Sequence, residues 1–353
     1  MKEKRNKYVF LLLFLLLLVS MLLSGCGTQD ENVADAGEEY TRELFAMGTY
    51  ITMTAYGEPA EDALNLSEER IKELDALWSV TDESSDICKM NQSNGASTEV
   101  SRETAEVLQF ALDMAKKTKG ALDPTISPVI TAWGFISGEH HIPSENDLAD
   151  LLRYVDYKKV ALEENFVTMP DGVQLELGAV GKGYTGDIIS ELLKEQGVTS
   201  ALLDLGGNIQ AVGTKPDGSD WRIGLKNPEN EGNLGVLSIS DRAIVTSGNY
   251  ERYFTGEDGK VYGHIINPKT GYPAESGLLS VTVISQEGKL CDALSTSLFV
   301  MGREKAAAYW RENQSFEMIL VTENGEIYLT EGIKDKFELE SDYSDRQINV
   351  IDG

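Results

Sequence analysis

Strand-like and helical patterns alternate from Tyr40 to the C-terminus, and this alternation restricts the folded part of the chain to a mixed α/β (α+β) class. No Gly-x-Gly-x-x-Gly follows the first predicted strand, and no GxxxxGKS/T motif occurs, so neither a Rossmann dinucleotide site nor a P-loop is supported. Apolar residues at helical spacing predict helices at 64–78, 103–119, 187–196 and 292–301. Short β-branched and aromatic runs predict strands at 50–56, 173–177, 201–204, 243–246, 261–266, 278–284 and 318–321.

The N-terminal segment is predicted to lie outside this fold. Four basic residues within positions 2–7 precede an apolar run that ends in Leu-Ser-Gly-Cys, the layout of a lipoprotein signal peptide. We therefore predict a signal peptide at 1–25, a lipidated Cys26 followed by an acidic tether to residue 39, and a folded domain at 40–353. This places the protein at the cell membrane, on the extracytoplasmic face. An uncleaved anchor helix is the alternative, and it would leave the domain on the same side of that membrane.

The charge of the chain excludes one class of partner. Its formal net charge is −27 at pH 7, and removal of the basic signal segment makes it more acidic, so we do not expect it to bind nucleic acid. An acidic protein can bind a polyphosphate only through local features. These are backbone amides at helix starts, one or two lysines, and a metal ion.

Cysteine usage is sparse after Cys26. Only Cys88 and Cys291 remain, which is too few for a disulfide scaffold, although an extracytoplasmic location would permit one bridge. We predict two unpaired, partly buried thiols.

The segment LELGAVGKGYTGDII at 175–189 is the first candidate for ligand binding. A predicted strand runs into three closely spaced glycines and then into a helix, so backbone amides at the helix start could bind phosphate oxygens. Lys182 could add a positive charge, and Glu176 could accept hydrogen bonds from a ligand. The alternative is an ordinary glycine turn with a solvated lysine.

The segment CDALSTSLFVMG at 291–302 is a candidate metal site. Asp292 is at a predicted helix N-cap, and Thr296 follows four residues later on the same face. Mg²⁺ and Ca²⁺ prefer such oxygen ligands and leave positions open for substrate phosphates. The alternative is a capping aspartate and a threonine bonded back to its helix.

The segment YGHIINPKTGYP at 262–273 contains the candidate base. His264 lies on a predicted apolar strand just before an Asn-Pro-Lys-Thr-Gly turn, which would fix its position. A neutral imidazole there could accept a proton from a hydroxyl nucleophile. A buried histidine with only a structural role is the alternative. His140 and His141 are assigned to a surface loop.

Two further segments contain candidate ligand contacts. FAMGTY at 45–50 places Met47 before a strand, and a methionine can pack on a flat aromatic ring. GALDPTISP at 120–128 places Asp123 in a loop bounded by prolines, where a carboxylate can bond a nucleobase or ribose. A core methionine and a turn aspartate are the more common explanations.

Taken together and in order, seven motifs resemble those of the FAD:protein FMN transferase family, also called ApbE. The resemblance runs from Tyr40 nearly to the C-terminus, and seven ordered motifs are far more specific than any one of them. A lipoprotein signal also fits that family. The motifs are MGT, ALDPT, LGAVGKGYTGD, LLDLGGN, TSGNYERYF, HIINPKTG and CDALST.

The resemblance implies an ApbE-type, T-fold-like fold and an enzyme that transfers the FMN moiety of FAD to a Thr or Ser hydroxyl of an acceptor flavoprotein, releasing AMP. The acceptor would be an extracytoplasmic protein, either a membrane electron-transfer subunit or a secreted flavoprotein. A divalent cation, Mg²⁺ with Ca²⁺ or Mn²⁺ as alternatives, would be bound by the backbone carbonyl of Ala179, by Asp292 and by Thr296. His264 is the candidate base. The implied FAD contacts are Met47, Ala121, Leu122, Asp123, Glu176, Lys182 and Ile265.

One departure from the family pattern keeps two alternatives open. Where many members carry a tyrosine that could stack on the flavin, this chain has Thr81, and Trp78 is the candidate substitute if its helix end turns toward the site. A weaker grip on the flavin would favour hydrolysis, so a metal-dependent FAD pyrophosphatase is the nearest alternative. A solute-binding or flavin-binding lipoprotein is the alternative of another class, and it would need neither metal ligands nor a base.

Overall fold

Seventeen strands and eight α-helices alternate along residues 37–353, the part of the chain that this computed structural model describes. The predicted signal peptide, Cys26 and most of the tether lie outside the described residues. The strands are β1 (Glu39–Ala46), β2 (Thr49–Tyr56), β3 (Thr98–Glu99), β4 (Ala161–Glu163), β5 (Phe166–Thr168), β6 (Ser200–Leu205), β7 (Asn208–Gly213), β8 (Trp221–Lys226), β9 (Asn233–Ile239), β10 (Ala243–Gly248), β11 (Tyr253–Thr255), β12 (Val261–Gly263), β13 (Leu278–Ser285), β14 (Glu317–Thr322), β15 (Ile327–Thr330), β16 (Phe337–Leu339) and β17 (Ile348–Ile351). The helices are α1 (Ala60–Trp78), α2 (Asp86–Asn91), α3 (Arg102–Lys117), α4 (Ser127–Ala132), α5 (Glu145–Leu151), α6 (Gly181–Glu195), α7 (Gly288–Met301) and α8 (Arg303–Glu312).

A nine-stranded sheet organises these elements into layers. Its strand order is β1-β2-β6-β7-β10-β13-β14-β15-β17, and all neighbours are antiparallel except β15 and β17. Helices α1, α6 and α7 pack on one face of this sheet, and a three-stranded sheet of order β16-β9-β8 packs on the other. The residues from 37 to 353 form one compact unit, and the mixed α+β prediction is confirmed.

The central strands are apolar along their whole length because both of their faces are covered. On β13, Val281 and Val283 pack with the helices, whereas Ile284 packs with the three-stranded sheet. A strand buried on both faces gives a continuous apolar run instead of an alternating pattern. Such runs explain why the predictions at 243–246, 278–284 and 318–321 lie within real strands.

Two strand predictions differ from the structure. Residues 173–177 form no strand and make only an isolated bridge between Gln174 and Ile126. The run at 261–266 is a strand only as far as Gly263, so His264 lies just after β12. Eleven of the strands in the described residues were not predicted, among them β1, which pairs along its full length with β2.

The helix predictions are correct in type, but three of them begin four or more residues too late, and the first of these, predicted from 64, starts at Ala60. We expected helices to start at 187 and 292, whereas α6 starts at Gly181 and α7 at Gly288. Glycine is an unfavourable residue inside a helix, so the glycines were read as a turn. The close packing of α6 against α7 explains why glycines are present at these helix starts.

Two smaller expectations concern cysteines and membrane spans. Cys88 and Cys291 are unpaired, as predicted, and both are buried rather than partly buried. Among the described residues, no helix has both the length and the apolar character that a bilayer span requires.

Candidate active site

Helices α6 and α7 cross at a pair of glycines, and this crossing is the centre of the candidate site. A Cβ atom on Gly183 would lie 2.3 Å from the carbonyl oxygen of Gly288 and 2.6 Å from the Cβ of Asp292. A Cβ atom on Gly288 would lie 2.7 Å from the carbonyl oxygen of Gly183. These distances are shorter than van der Waals contact, so only glycine lets the two backbones approach this closely.

Each of these helices carries an aspartate that caps the other helix. Asp292 of α7 accepts a 2.9 Å hydrogen bond from the amide of Gly183, in the first turn of α6. Asp187 of α6 accepts bonds of 2.5 Å and 3.0 Å from the amides of Gly288 and Lys289, in the first turn of α7. Amides in a first helical turn have no partner within their helix, so both carboxylates are held where positive partial charge is concentrated. Burial nevertheless raises the pKa of Asp187 to about 6.

Replacing Gly183 with alanine is expected to destabilise the protein by about 1–3 kcal/mol, because the added methyl group forces the two helices apart. The matched control is Gly186→Ala in the same helix. A Cβ at Gly186 would meet its nearest neighbours at 3.6 Å or more, and alanine favours a helix over glycine by about 1 kcal/mol. Denaturant unfolding of both variants tests this packing. Equal stability of the two variants would contradict it.

The predicted metal ligands lie around the crossing. Ala179 comes two residues before α6, and within the described chain no amide donates to its carbonyl oxygen, because the amide of Gly183 donates to Asp292. Thr296 follows Asp292 by one helical turn and is half-buried, with its Oγ1 3.3 Å from Oγ of Ser247. One carbonyl, one carboxylate and one hydroxyl form a donor set that suits a hard divalent cation and leaves positions for phosphate oxygens.

Two findings qualify the sequence prediction for this segment. Asp292 is not the N-cap of α7, because Glu287 occupies that position and Asp292 lies in the second turn. Within residues 37–353, no group of three or more His, Cys, Asp or Glu side chains could hold a metal ion. The predicted ligand set contains only one side chain of those types, so a cation there would need phosphate or water oxygens to complete its coordination.

The glycine segment differs from its predicted form. Residues 181–186 read Gly-x-Gly-x-x-Gly, and these glycines lie inside α6 instead of in a loop between a strand and a helix. Residues 178–180, directly before the helix, form a turn, and among residues 173–177 only Gln174 has a bridge partner. The phosphate-binding expectation therefore rests on the first turn of α6, where Asp292 already occupies the amide of Gly183.

Glu176 precedes this turn, and Lys182 lies within it. Both are half-buried, and Oε2 of Glu176 accepts a 2.6 Å bond from the amide of Gly178. Burial raises the pKa of Glu176, and the charge of Asp292 raises it further, whereas the Gly178 amide and the charge of Lys182 lower it. Two carboxylates and one lysine make a region that would repel a pyrophosphate unless a cation were bound.

Met47 is positioned by a two-residue hairpin turn between β1 and β2. Met47 and Gly48 have φ angles of 53° and 70°, as a type I′ turn requires. The amide of Met47 donates to Asp75 at 2.9 Å, and its Sδ lies 3.5 Å from Oγ1 of Thr185 on α6. The turn therefore brings the predicted flavin contact to the helix that begins the site.

Trp78 is the last residue of α1, and Thr81 lies shortly after the helix end. Trp78 is only 7% exposed and packs edge-on against Tyr184, with ring centroids 6.1 Å apart. Thr81 is exposed and bonds only locally, to Ser79. Little of the Trp78 ring is free to stack on a flavin, so its role as a flavin contact stays a prediction.

The loop at 121–123 is buried and joined to Glu176. Oδ1 of Asp123 accepts bonds from Thr125, and Oδ2 accepts a 3.0 Å bond from the amide of Tyr157. The amide of Glu176 donates to the carbonyl of Pro124 at 2.9 Å. Burial raises the pKa of Asp123. Its carboxylate thus shapes the loop, and the bond at Pro124 joins the loop that contains Ala121 and Leu122 to the segment that carries Glu176.

His264 is held in one tautomer by the backbone. Its Nδ1 donates to the carbonyl of Arg252 at 3.1 Å, which leaves Nε2 of the neutral ring as an acceptor. Burial, helped by the charges of Arg252 and Lys182, lowers the pKa of His264 to about 4, although the hydrogen bond to the Arg252 carbonyl opposes this change. The following residue, Ile265, is buried. The ring is therefore neutral at physiological pH, as a general base must be before it accepts a proton.

The low pKa of His264 predicts a pH-dependent contribution to stability. Because the folded-state pKa is about 4 and the unfolded value is 6.5, the unfolded chain binds more protons between these values. The contribution is complete above 6.5 and is lost as the pH falls toward 4. The stability difference between wild type and His264→Gln should therefore shrink from about pH 7.5 to about pH 5 in denaturant unfolding. A difference that does not change with pH would contradict the assignment.

Arg252 joins the histidine to the rest of the site, and the sequence analysis did not single it out. Its carbonyl binds His264, and its Nη2 donates to the carbonyl of Gly48 at 3.1 Å, next to Met47. The charge of Lys182, in the first turn of α6, acts on both Glu176 and His264. These interactions connect Met47, Glu176, Lys182 and His264. Asp187 was also missed, and its place in the motif LGAVGKGYTGD was the available signal.

Known proteins resemble this chain over most of its length. A model of the ApbE family matches residues 47–320. A protein named FAD:protein FMN transferase from Klebsiella pneumoniae is 33% identical over 312 residues, which cover 86% of this chain and 96% of that protein. A protein of the same name from Treponema pallidum is 32% identical over 321 residues, which cover 84% of this chain and 88% of that protein.

Solved structures of the same family have a similar fold. The ApbE protein of Thermotoga maritima superposes with a TM-score of 0.80 and 31% identity, covering 85% of this chain and 99% of that chain. The flavin transferase ApbE of Vibrio cholerae gives a TM-score of 0.77 and 26% identity, covering 85% of this chain and 99% of that chain. The predicted family and fold type are confirmed.

Proposed function

Because this chain belongs to the ApbE family, we propose that it is an enzyme that transfers the FMN moiety of FAD to a hydroxyl side chain of an acceptor flavoprotein, with a divalent cation and with release of AMP. One observation carries the proposal. A neutral histidine with a free Nε2 is linked, through Arg252 and the Met47 turn, to a cluster of oxygen ligands at the start of α6. A base for a hydroxyl nucleophile and a site for a pyrophosphate are the two parts that phosphoryl transfer to an alcohol needs.

The chain's own residues would act on the nucleophile and on its position. The acceptor hydroxyl oxygen forms a bond to the phosphorus of the FMN half, and the bond from that phosphorus to the bridging oxygen breaks. AMP leaves with the bridging oxygen and its electron pair, and the hydroxyl proton passes to Nε2 of His264. Bound pyrophosphate would add negative charge near His264, which raises its pKa toward the working pH and makes it a stronger base.

Ala179, Asp292 and Thr296 would hold the cation, with Mg²⁺ as the first choice and Ca²⁺ or Mn²⁺ as alternatives. When bound, the cation would supply charge neutralisation on the pyrophosphate oxygens. Lys182 is the one lysine in the first turn of α6, and it would add a second positive charge on the same side. FAD would be contacted by Met47 and Ile265, by the 121–123 loop, and by Glu176 and Lys182.

The location of the reaction is also part of the proposal. The basic and apolar start of the chain, which ends at Cys26, supports lipid anchoring at the cell membrane with the domain on the extracytoplasmic face. An acceptor there would be a membrane electron-transfer subunit or a secreted flavoprotein. The strongly acidic chain leaves nucleic acid outside the set of partners.

A specific observation favours one second function, hydrolysis of FAD to FMN and AMP. Thr81 is exposed and Trp78 is buried, so the end of α1 offers no open aromatic face for the flavin. A flavin that is weakly held would leave more room for water as the nucleophile.

Measuring AMP release tests the proposal and separates these functions. We expect purified protein with FAD and Mg²⁺ to release AMP faster when a candidate acceptor domain is added, and to stop in chelator. Release at the same rate with and without acceptor would favour the hydrolase. Intact FAD under all conditions would indicate a flavin-binding protein.

A further inference from the structure

Asn208 has a buried side-chain amide that lacks a partner. It is the first residue of β7, it ends the motif LLDLGGN, and it is only 7% exposed. Its Nδ2 has no hydrogen-bond partner among the described residues. A buried donor without a partner is unfavourable, so such a group is expected to find its acceptor in a ligand or in ordered water.

The side chain of Asn208 faces the helix layer. Its neighbour Ile209 packs toward the three-stranded sheet on the opposite face, and side chains alternate along a strand. Gln210, two residues on, lies beneath the helix crossing, because its Oε1 would be 2.8 Å from a Cβ on Gly288. Asn208 is therefore on the same face of the sheet as that crossing, two residues closer to the start of β7 than Gln210.

Three contacts locate Asn208 among the site residues. It pairs with Val245 on β10, and Ser247, two residues further on the same face, lies 3.3 Å from Oγ1 of Thr296. On the other side, a Cβ on Gly206 would lie 2.0 Å from Oγ1 of Thr49, which follows the Met47–Gly48 turn. Asn208 thus lies on the sheet between the Met47 turn and the helix that carries Asp292 and Thr296.

We propose that Asn208 is a further FAD-binding residue, whose side-chain amide donates a hydrogen bond to a phosphate oxygen of the bound dinucleotide. The proposal rests on the proposed function, because it takes FAD as the ligand. A neutral amide suits this place, since it supplies a donor beside a cation site without adding charge. Gln210 does not suit it, because the backbones at Gly186 and Gly288 close over that side chain.

Flavin fluorescence titrations of Asn208 variants test this inference. We expect Asn208→Ala to weaken FAD binding by about tenfold or more, since hydrogen bonds to charged groups are the strong ones. Asn208→Asp should bind FAD more weakly still, because a carboxylate of the same shape would face the phosphates. Asn227→Ala is the matched control. Asn227 is also buried with an unpartnered Nδ2, and it lies in the loop after β8, so its FAD affinity should be that of the wild type.

Riboflavin separates a phosphate contact from a packing role, because it has the ring but no phosphate. Loss of a phosphate contact should weaken the binding of FAD and leave the binding of riboflavin unchanged. We therefore expect that less riboflavin displaces FAD from Asn208→Ala than from the wild type, by the same factor as the loss of FAD affinity. FAD affinity within twofold of wild type, or equal affinity of the alanine and aspartate variants, would overturn the proposal. Failure of the wild type itself to bind FAD would instead contradict the proposed function.

Discussion

Replacing Asp292 with alanine is expected to abolish both FMN transfer and metal-dependent cleavage of FAD, with a loss of at least about 10²–10³-fold in rate. Asp292 is the only carboxylate in the predicted ligand set, and it also accepts the amide of Gly183 at the start of α6. The change therefore removes the charge that would hold a divalent cation and one cap of the helix crossing. AMP release at saturating FAD, measured over a range of Mg²⁺ concentrations, checks the expected result.

Two controls separate the loss of the ligand from the loss of the cap. Asp292→Asn keeps an oxygen that can accept the Gly183 amide while it removes the negative charge, so it should fold like the wild type and remain inactive. Binding of Mn²⁺ by itself, followed by calorimetry, should be lost in both variants. Activity of Asp292→Ala equal to that of the wild type would contradict the metal assignment.

Replacing His264 with alanine is expected to lower the rate of transfer to protein by about 10²–10⁴-fold while FAD binding changes little. Its Nδ1 is occupied by the carbonyl of Arg252, so the ring offers only Nε2 to a substrate. That nitrogen would accept the proton of the acceptor hydroxyl, and its loss affects the nucleophile more than the dinucleotide. Transfer rate and FAD affinity, measured on the same variant, give the comparison.

The matched control for this variant is His141→Ala, since His141 is exposed and its ring bonds only to the nearby carbonyl of Glu139. We expect wild-type transfer from the control. An equal fall in FAD affinity and transfer rate for His264→Ala would show that the histidine binds the dinucleotide and does not act as a base.

The fold could be predicted where the local hydrophobic pattern of an element matches its surroundings in the folded protein. Strands such as β13 are apolar on both faces because helices cover one side and a second sheet covers the other. The starts of α6 and α7 were not predictable, because Gly181, Gly183 and Gly288 disfavour a helix locally. Their benefit appears only when the two helices cross, since a Cβ on Gly183 would collide with Gly288.

The candidate site was predictable as a set of motifs and not as a geometry. The sequence pointed to Asp292 and Thr296 on one helix face, but it could not show that Asp187 and Asp292 cap each other's helices. It also selected His264 without Arg252, whose carbonyl fixes the tautomer. The aspartates and the amides they cap are more than 100 residues apart, and Arg252 meets His264 only because β11 and β12 pair.

FMN transfer is tested most directly by the intact mass of a candidate extracytoplasmic acceptor domain after incubation with the purified protein, FAD and Mg²⁺. We expect a mass gain equal to one FMN attached through a phosphoester, an equal amount of AMP, and neither product in chelator or with Asp292→Ala. An acceptor of unchanged mass together with free FMN and AMP would identify hydrolysis. FAD recovered intact would contradict both FMN transfer and FAD hydrolysis.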